Sequence, residues 1–431
     1  MTQPILIQNA RTIDPASGLD EVMDVLLADG VIAQVGTDIE HPSHAQIIDA
    51  TALILAPGLI DLKVKTGEPG FEHRETLQSA GHAAAAGGVT TIVIAPDTQP
   101  VIDDAALVEY IRRSSRGTSL VNILPAGALT QGLHGEQIAE IGLMSEAGAV
   151  LFSNGDTGIP NADIMGKALS YAGAFNALVS CRPEDASLTG RGVMHSGELS
   201  SRLGLKGIPI AAETIAIARD IALAEYTGGR LLIDQVSSAA GIAMVRDAKA
   251  KGLEIYCTVS VHHLTLNELD VGEYRTFARL SPPLRAESDR QGLITALCDG
   301  TIDAIVSGHD PRPAEEKRLP FAESSAGACG LETLLSGALS LVHHGDAELS
   351  VVLGALTSGP ADLLDLPAGR IAANAPADLI LFDLEQPWVC DAGQLLSKSK
   401  NTPFDGRRMQ GLTHATLVAG AVVFDREGRC K

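Results

Sequence analysis

Two lysines, Lys63 and Lys65, close the apolar segment LIDLKVK and are the first side chains along the chain with chemical potential. A buried lysine has a lowered pKa and can act as a base or as a nucleophile. The alternative is structural, because an ammonium group paired with carboxylates stays charged and unreactive. We favour ion pairs, with Asp97, Asp156 or Asp310 as the partner.

Histidines are a second kind of candidate, because imidazole is a common metal ligand. His262 and His263 look like a metal pair, but adjacent residues on a strand point to opposite faces, so we expect at least one to be structural. His309, in the segment SGHDP, is a weak catalytic candidate for which a packed role is favoured. For His343 and His344, on a predicted helix, a solvated or packing role is favoured.

Composition limits the partners. The 431 residues include 32 Lys and Arg against 53 Asp and Glu, for a net charge of -21. So acidic a surface repels phosphate backbones and anionic membranes, and we expect neither nucleic acid nor a membrane as partner. The sequence has no apolar run of transmembrane length and no signal-peptide pattern. Six scattered cysteines without a CxxC pair indicate a reducing compartment, so we expect a cytoplasmic protein.

The middle of the chain alternates apolar strands with amphipathic helices. Helical segments such as ETLQSAGHAAAAGG end in paired glycines, which are typical of a helix C-terminus. Near-continuous apolar strands imply burial on both faces and a parallel sheet. Eight strand–helix units over about 300 residues predict an α/β fold, a (β/α)8 TIM barrel. The candidate strands are residues 59–65, 89–95, 120–126, 149–153, 176–180, 230–236, 253–259 and 301–307.

Both chain ends have a different, β-rich pattern. Short runs such as ILIQNA and VIAQVG open the chain, and ADLILFDL and ATLVAGAVVFD close it. We predict a small β-sandwich domain assembled from residues 1–56 and 367–431, and a barrel from residues 57–366. Long segments that follow barrel strands lie at the active-site face of such a fold.

The stretch PGLIDLKVKTGEPGFEHRETLQSAGHAAAAGGVTTIVIAPDTQPVID resembles the dihydroorotases of the amidohydrolase superfamily. The match continues through VSVHHLTLNE, SPPLRAESDRQGLITALCDGTIDAIVSGHDP, GLETLLSGALS, ADLILFDLEQPWVC and SKNTPFDGRRMQG, so it covers essentially the whole chain. The resemblance implies a metallo-dependent hydrolase barrel of pyrimidine biosynthesis. In that family a zinc-bound hydroxide acts in the reversible cyclisation of carbamoyl aspartate to dihydroorotate.

The sequence departs from the family at every metal-ligand and catalytic position. The family's first His-x-His is Lys63-Val64-Lys65 here, and an ammonium group has no lone pair for a metal. Asp156 is an alternative to Asn154 in the next ligand segment. We therefore predict no zinc and no other cofactor. The remaining degenerate positions are Asn154, Arg182, Gln235 and Gly308.

The positions that contact the substrate in the family have changed as well. They correspond to Gly67, Asp97, Ser281 and Arg312. Arg182 and Arg312 could form an anion pocket at the barrel mouth, although salt bridges with the many acidic residues are favoured.

We predict a catalytically inactive dihydroorotase-like protein, a barrel retained for assembly into an oligomer. The resemblance implies the partner, because several bacteria carry such homologues as non-catalytic subunits that scaffold the aspartate carbamoyltransferase catalytic subunit. One alternative is a functioning dihydroorotase or related cyclic-amide hydrolase, either metal-free through Lys63, Lys65 or His309 or with ligands elsewhere in the chain. Another alternative is a sensor of small anions.

Overall fold

A computed structural model describes residues 3–428 and 430 of the chain. The strands within these residues are β1 (Ile5–Asp14), β2 (Leu19–Ala28), β3 (Val31–Gly36), β4 (Gln46–Asp49), β5 (Ile54–Pro57), β6 (Leu59–Val64), β7 (Val89–Ile94), β8 (Asn122–Pro125), β9 (Gly127–Ala128), β10 (Phe152–Ser153), β11 (Val179–Cys181), β12 (Met194–His195), β13 (Gly207–Ile208), β14 (Leu231–Ile233), β15 (Ile255–Ser260), β16 (Ala304–Val306), β17 (Leu379–Val389), β18 (Arg408–Val418) and β19 (Ala421–Asp425).

The α-helices connect these strands in the same order along the chain. They are α1 (Leu77–Gly87), α2 (Ala105–Ser115), α3 (Ile141–Ala147), α4 (Ala162–Gly173), α5 (Ala186–Thr189), α6 (Glu198–Leu203), α7 (Ala211–Thr227), α8 (Ala239–Ala250), α9 (Val261–Thr265), α10 (Glu287–Cys298), α11 (Ala314–Lys317), α12 (Leu334–His343), α13 (Leu349–Leu356) and α14 (Ser358–Leu363). None of these described helices is long and apolar enough to cross a membrane.

The predicted parallel barrel is present, with a strand at each of the eight predicted places. β6, β7 and β8 form one parallel sheet, and β9, β10, β11, β14, β15 and β16 form another. β8 lies within the predicted strand 120–126, and β9 follows it after Ala126, just beyond the predicted bounds. A parallel bridge between Val64 and His309 connects the chain after β16 to β6. Every residue of β6 and β7 is buried, which explains their continuous apolar sequences.

Local sequence signals set the bounds of the long helices. Thr76 caps α1 by accepting a hydrogen bond from the Ser79 backbone N–H, and Gly88 ends the helix with φ of 83°. α7 ends in the same way at Gly228, with φ of 69°. Glycine adopts this left-handed conformation without steric cost, so the paired glycines are helix terminators as predicted.

Strands from both chain ends form one mixed sheet in the order β19-β18-β17-β5-β1-β2-β3, with β4 paired to β1. β5 is parallel to β1 and antiparallel to β17, so it joins the N-terminal strands to the C-terminal ones. Ile7, Leu27, Leu55, Leu381 and Leu417 share one apolar core. The two chain ends therefore fold together, and β5 leads directly into the first barrel strand.

Part of the C-terminal segment also contacts the barrel. The Ser399 hydroxyl donates to the Arg74 carbonyl at 2.8 Å, and the Asn401 amide donates to the Gly327 carbonyl at 2.9 Å. Asn401 also accepts a hydrogen bond from the Arg312 backbone N–H at 3.0 Å. These contacts fix the SKNTPFDG segment beside the loops that surround the candidate site.

Candidate functional site

Most of the side chains that the sequence singled out meet at the carboxyl ends of the barrel strands. Lys63 and Lys65 lie at the end of β6, and Asp156 lies in the loop after β10. Arg182 follows β11, and Asp234 follows β14. Because the carboxyl ends of parallel strands share one edge, distant parts of the chain converge there.

Lys63 is held between two carboxylates. Its Nζ lies 2.9 Å from Asp234 Oδ2 and 3.3 Å from Asp156 Oδ1. The second oxygen of Asp234 accepts a hydrogen bond from the Thr258 hydroxyl at 2.9 Å, so this carboxylate is fixed in place. Burial alone would lower the pKa of Lys63, but the charges of Asp234 and Asp156 outweigh it and hold the pKa above its ordinary value.

Lys65 contacts all three carboxylates that the sequence analysis named. Its Nζ lies 2.8 Å from Asp97 Oδ2 and 3.7 Å from Asp310 Oδ2, and it pairs closely with Asp156. Burial would lower the pKa of Lys65, but Asp156, Asp310 and Asp97 together raise it above the usual range. A protonated ammonium group has no lone pair, so it acts neither as base nor as nucleophile nor as metal ligand.

Asp156 is the centre of this ion-pair network. Burial would raise the pKa of its carboxyl, but Lys65, Lys63 and Arg182 hold that pKa well below its ordinary value. Arg182 lies 3.8 Å from Asp156 Oδ1 and is almost fully buried. Asp156, rather than Asn154, therefore supplies the central carboxylate of its segment. Sequence reasoning had left these two open.

The other polar residues of the segment bind protein groups. Asn154 accepts hydrogen bonds from the Thr130 hydroxyl at 2.9 Å and from its backbone N–H at 3.2 Å. The Arg182 guanidinium donates to Gln235 Oε1 at 2.7 Å and to the Ser281 hydroxyl at 3.0 Å. Gln235 and Ser281 thus serve as hydrogen-bond acceptors for Arg182.

Two glycines occupy positions where no other residue fits without strain. Gly308 has φ of +62°, and a Cβ there would lie 2.7 Å from Ser260 Oγ. Gly67 has φ of +80°, and a Cβ there would lie 2.6 Å from the Phe71 carbonyl oxygen. Both the backbone conformation and the surrounding atoms therefore exclude a carboxylate at residue 308 and a guanidinium at residue 67.

The expectation that His262 and His263 alternate on a strand is wrong. β15 ends at Ser260, and both histidines lie in the short helix α9, where both are buried. Both line the same central cavity. Burial lowers the pKa of each imidazole to about 3, so both are neutral at physiological pH. His263 Nε2 lies 3.3 Å from the Pro283 carbonyl, which fits a donated hydrogen bond.

His309 is buried and faces a carboxylate that the sequence analysis did not single out. The Gly330 N–H donates to His309 Nδ1 at 3.2 Å, which leaves Nε2 to carry the proton. Nε2 lies 3.5 Å from Glu75 Oε2. Glu75 also accepts hydrogen bonds from the Ser397 hydroxyl and the Lys398 backbone. Glu75 lies within a motif of the resemblance, but pattern reasoning gave no signal for this contact.

Arg312 is engaged by acidic groups, as favoured. It lies 2.8 Å from Asp310 Oδ2 and 3.8 Å from Glu316 Oε2. Since Arg182 is likewise bound by protein acceptors, both guanidinium groups of the proposed anion pocket already have internal partners.

The space between these residues is small. A cavity of about 20 Å³ is lined by Lys63, Lys65, Asp156 and the three histidines of the site, among others. A cavity needs roughly 10–15 Å³ to hold one water molecule, so this one has room for little more. His262 Nε2 and His263 Nδ1, which have no hydrogen-bond partner among the described residues, belong to side chains around it.

The residues present do not fit a zinc site. Among residues 3–428 and 430, no group of three or more His, Cys, Asp or Glu side chains is arranged to hold a metal ion. Lys63, Lys65 and Arg182 instead place three positive charges around Asp156. Like charges repel, so a dication is disfavoured at the place where ammonium groups already pair with the carboxylates.

Comparisons with known proteins identify relatives along the whole chain. Residues 52–240 match the family model described as Dihydro-orotase-like, and residues 204–423 match that of the Amidohydrolase family. A protein named Dihydroorotase from Pelobacter propionicus is 42% identical over 422 residues, which cover 98% of this chain and 100% of the relative. The Dihydroorotase from Geotalea daltonii is 40% identical over 423 residues, covering 98% and 100%.

Solved structures share the fold. The L-hydantoinase (dihydropyrimidinase) from Arthrobacter aurescens superposes with a TM-score of 0.89 at 24% identity, over 99% of this chain and 96% of that one. The dihydropyrimidinase from Brevibacillus agri gives a TM-score of 0.86 at 21% identity, over 98% and 95%. At these identities the likeness establishes the architecture alone, an amidohydrolase-type α/β barrel with a separate β-rich domain.

Proposed function

The chain belongs to the dihydroorotase family, and we propose that it is a member without metal ligands that serves as a non-catalytic subunit of aspartate carbamoyltransferase. It is a dihydroorotase-like protein of pyrimidine biosynthesis. Such a role places it in the cytoplasm, which the scattered cysteines also favour.

The observation that carries the proposal is the ion-pair network at the centre of the barrel. By the resemblance, Lys63 and Lys65 correspond to the family's first two ligands. Their carboxylate partners hold both of them protonated. The cavity of about 20 Å³ among these ion pairs is far smaller than the roughly 300–1,000 Å³ of typical small-molecule pockets, and the adjoining cavity beside Lys65 and Arg312, of about 180 Å³, is also below that range.

The retained framework supports a role in assembly. The buried carboxylate of Asp156 is neutralised by Lys63 and Lys65, and Arg182 is bound by Gln235. These positive side chains supply the charge that a metal ion would otherwise supply. Such a barrel can remain folded without catalytic activity. A role in assembly needs only the outer surface and the stability of the fold.

Co-assembly with the transferase is the direct test. The purified chain is mixed with the aspartate carbamoyltransferase catalytic subunit of the same organism and examined by native mass spectrometry. We expect a discrete hetero-oligomer and a change in transferase activity or stability. Two separate, unassociated proteins with unchanged transferase activity would overturn the scaffold role.

A functioning dihydroorotase is the second candidate, because the relatives of about 40% identity carry that name. Zinc content and turnover of the purified chain separate the two candidates. We expect less than stoichiometric zinc and no turnover. Stoichiometric zinc with conversion of dihydroorotate would show that the ligands lie elsewhere in the chain.

The double variant Lys63→His/Lys65→His sharpens this test, because it restores only the first two ligand types. Arg182, Gln235 and Gly308 remain unable to complete the site. We expect the variant to gain neither stoichiometric zinc nor dihydroorotase activity after zinc addition. Recovery of turnover by these two substitutions alone would show that the other positions can still complete a metal site, which would contradict the proposal.

A further inference from the structure

A second, larger cavity lies away from the barrel centre. This crevice, between helix α12 and strand β18, has a volume of about 350 Å³. Ser340 and His344 line it from the α12 side, and Arg408 and Met409 line it from β18. A volume of this size lies within the ~300–1,000 Å³ typical of small-molecule sites.

The charges around the crevice are unusual for this protein. The charged side chains of its lining are Arg407 and Arg408, and the lining has no Asp or Glu, although Glu385 binds the lining residue Gln410 from outside. The chain as a whole carries 53 acidic residues and a net charge of -21. A concave surface of one sign attracts ligands of the opposite sign. The lining therefore favours an anion.

Two of these groups are available to a ligand. Arg407 is paired with Asp270, and His343 Nε2 lies 3.0 Å from the Leu384 carbonyl. Arg408, by contrast, is exposed and has neither an ion pair nor a side-chain hydrogen bond to any other described residue. The exposed His344 side chain is likewise without a hydrogen bond inside the described part of the chain.

The inner wall of the crevice is apolar and fixed. Phe404 is buried and stacks on His262 with ring centroids 5.4 Å apart, so its ring is held in place. Gly337 lies beside it, where a Cβ would be 3.7 Å from the Phe404 ring. Met409 and Pro387 complete this wall. Such a surface suits the ring of a ligand rather than a fully hydrated ion.

We propose that the crevice between α12 and β18 binds an organic anion, with its phosphate or carboxylate against Arg408 and His344 and its ring against Phe404 and Met409. A guanidinium group can form paired hydrogen bonds with either a phosphate or a carboxylate, and the imidazole of His344 adds one more N–H donor. The site lies outside the barrel centre and does not depend on the function proposed above.

Calorimetric titration of the full chain tests this site with phenyl phosphate, which combines the two features. We expect saturable binding, and about tenfold weaker binding of inorganic phosphate and of phenol, each of which lacks one feature. Arg408→Ala removes the free guanidinium, and Ser340→Leu fills the crevice without changing charge. Both variants should weaken binding of phenyl phosphate by about tenfold or more.

The matched control is Arg113→Ala on α2, which removes the same charge from an exposed ion pair with Glu109. It should bind as wild type does. Absence of saturable binding to wild type would overturn the proposal. Equal losses in Arg408→Ala and Arg113→Ala would also overturn it, since they would show only the effect of net charge. Equal affinity for inorganic phosphate and phenyl phosphate would overturn the role of the apolar wall.

Discussion

The barrel centre and the crevice beside α12 differ in whether their positively charged side chains are paired with carboxylates. At the centre, Lys63 and Lys65 are buried, and both are paired with carboxylates around a cavity of about 20 Å³. In the crevice, Arg408 is exposed beside a cavity of about 350 Å³ without a carboxylate in its lining. A buried, paired cation is costly to separate from its partner, while an unpaired cation beside open space can receive a ligand.

The barrel centre thus contains the residues that looked catalytic in sequence, but its electrostatics are structural. This contrast makes a quantitative prediction, because removal of one member of a buried pair leaves an uncompensated charge. The same removal in an exposed pair has little effect. The free energy of unfolding of each variant therefore distinguishes a buried ion pair from an exposed one.

The largest effect is expected for Asp234→Asn. The carboxylate is 4% exposed and its partner Lys63 is 10% exposed, so the variant leaves a buried ammonium group with half its compensation. We expect a loss of about 3–5 kcal/mol in the free energy of unfolding, measured by urea denaturation. The control Asp163→Asn breaks an exposed pair with Lys167 and should cost less than about 1 kcal/mol. Similar losses of unfolding free energy in both variants would show that the buried pair contributes no more to stability than the exposed one.

A smaller loss is expected for Gly308→Ala. The residue has φ of +62°, and the new Cβ would lie 2.7 Å from Ser260 Oγ, so conformational strain and overlap add together. We expect a cost of about 2–4 kcal/mol. Gly18→Ala is the matched control, because Gly18 has φ of +76° but nothing within 4 Å of its Cβ position. It should cost only about 1–2 kcal/mol, the conformational part alone.

The buried histidines predict a dependence on pH. The pKa of His263 is about 3 in the folded chain, below the ~6.5 of an exposed histidine. Between these values the unfolded chain binds a proton that the folded chain excludes. The free energy of unfolding therefore falls as pH is lowered from about 6.5 towards 3, by up to ~1.4 kcal/mol per pH unit for this residue.

His263→Gln removes this contribution. The slope of unfolding free energy against pH between about 4 and 6 should decrease by up to ~1.4 kcal/mol per pH unit relative to wild type. Asp61 and Glu332, whose pKa values burial raises to about 6 and about 7, and His262, whose pKa burial lowers to about 3, are present in both proteins. Their contributions therefore largely cancel in the difference. An unchanged slope in His263→Gln would contradict a neutral, buried imidazole.

The sequence predicted the barrel well because its signals are local. Continuous apolar strands and the glycines at 88 and 228 mark elements by composition and backbone freedom alone. The partners of Lys65 were also predictable, since an excess of acids follows the other strands. The place of Asp156 relative to Asn154 required the loop geometry after β10, which no periodicity encodes.

What the sequence could not give depends on contacts between distant segments. His262 and His263 seemed to continue a strand, but the chain turns into α9 at Ser260, whose hydroxyl caps the helix by accepting from the His262 N–H. The crevice beside α12 was equally invisible. The sequence pattern favoured a solvated or packing role for His343 and His344. Arg408 lies beside them only because β18 approaches α12 in the folded chain.

The smallest effect is expected for Arg408→Ala, and it separates the two regions most directly. Arg408 has no ion pair within the described residues and is exposed, so its removal leaves no buried charge and no unsatisfied acceptor. We expect a change of less than about 0.5 kcal/mol in the free energy of unfolding by urea denaturation. Loss of phenyl phosphate binding without loss of stability would mark the residue as available for a ligand. A loss comparable with that of Asp234→Asn would instead place Arg408 among the structural charges, and the distinction between the two regions would fail.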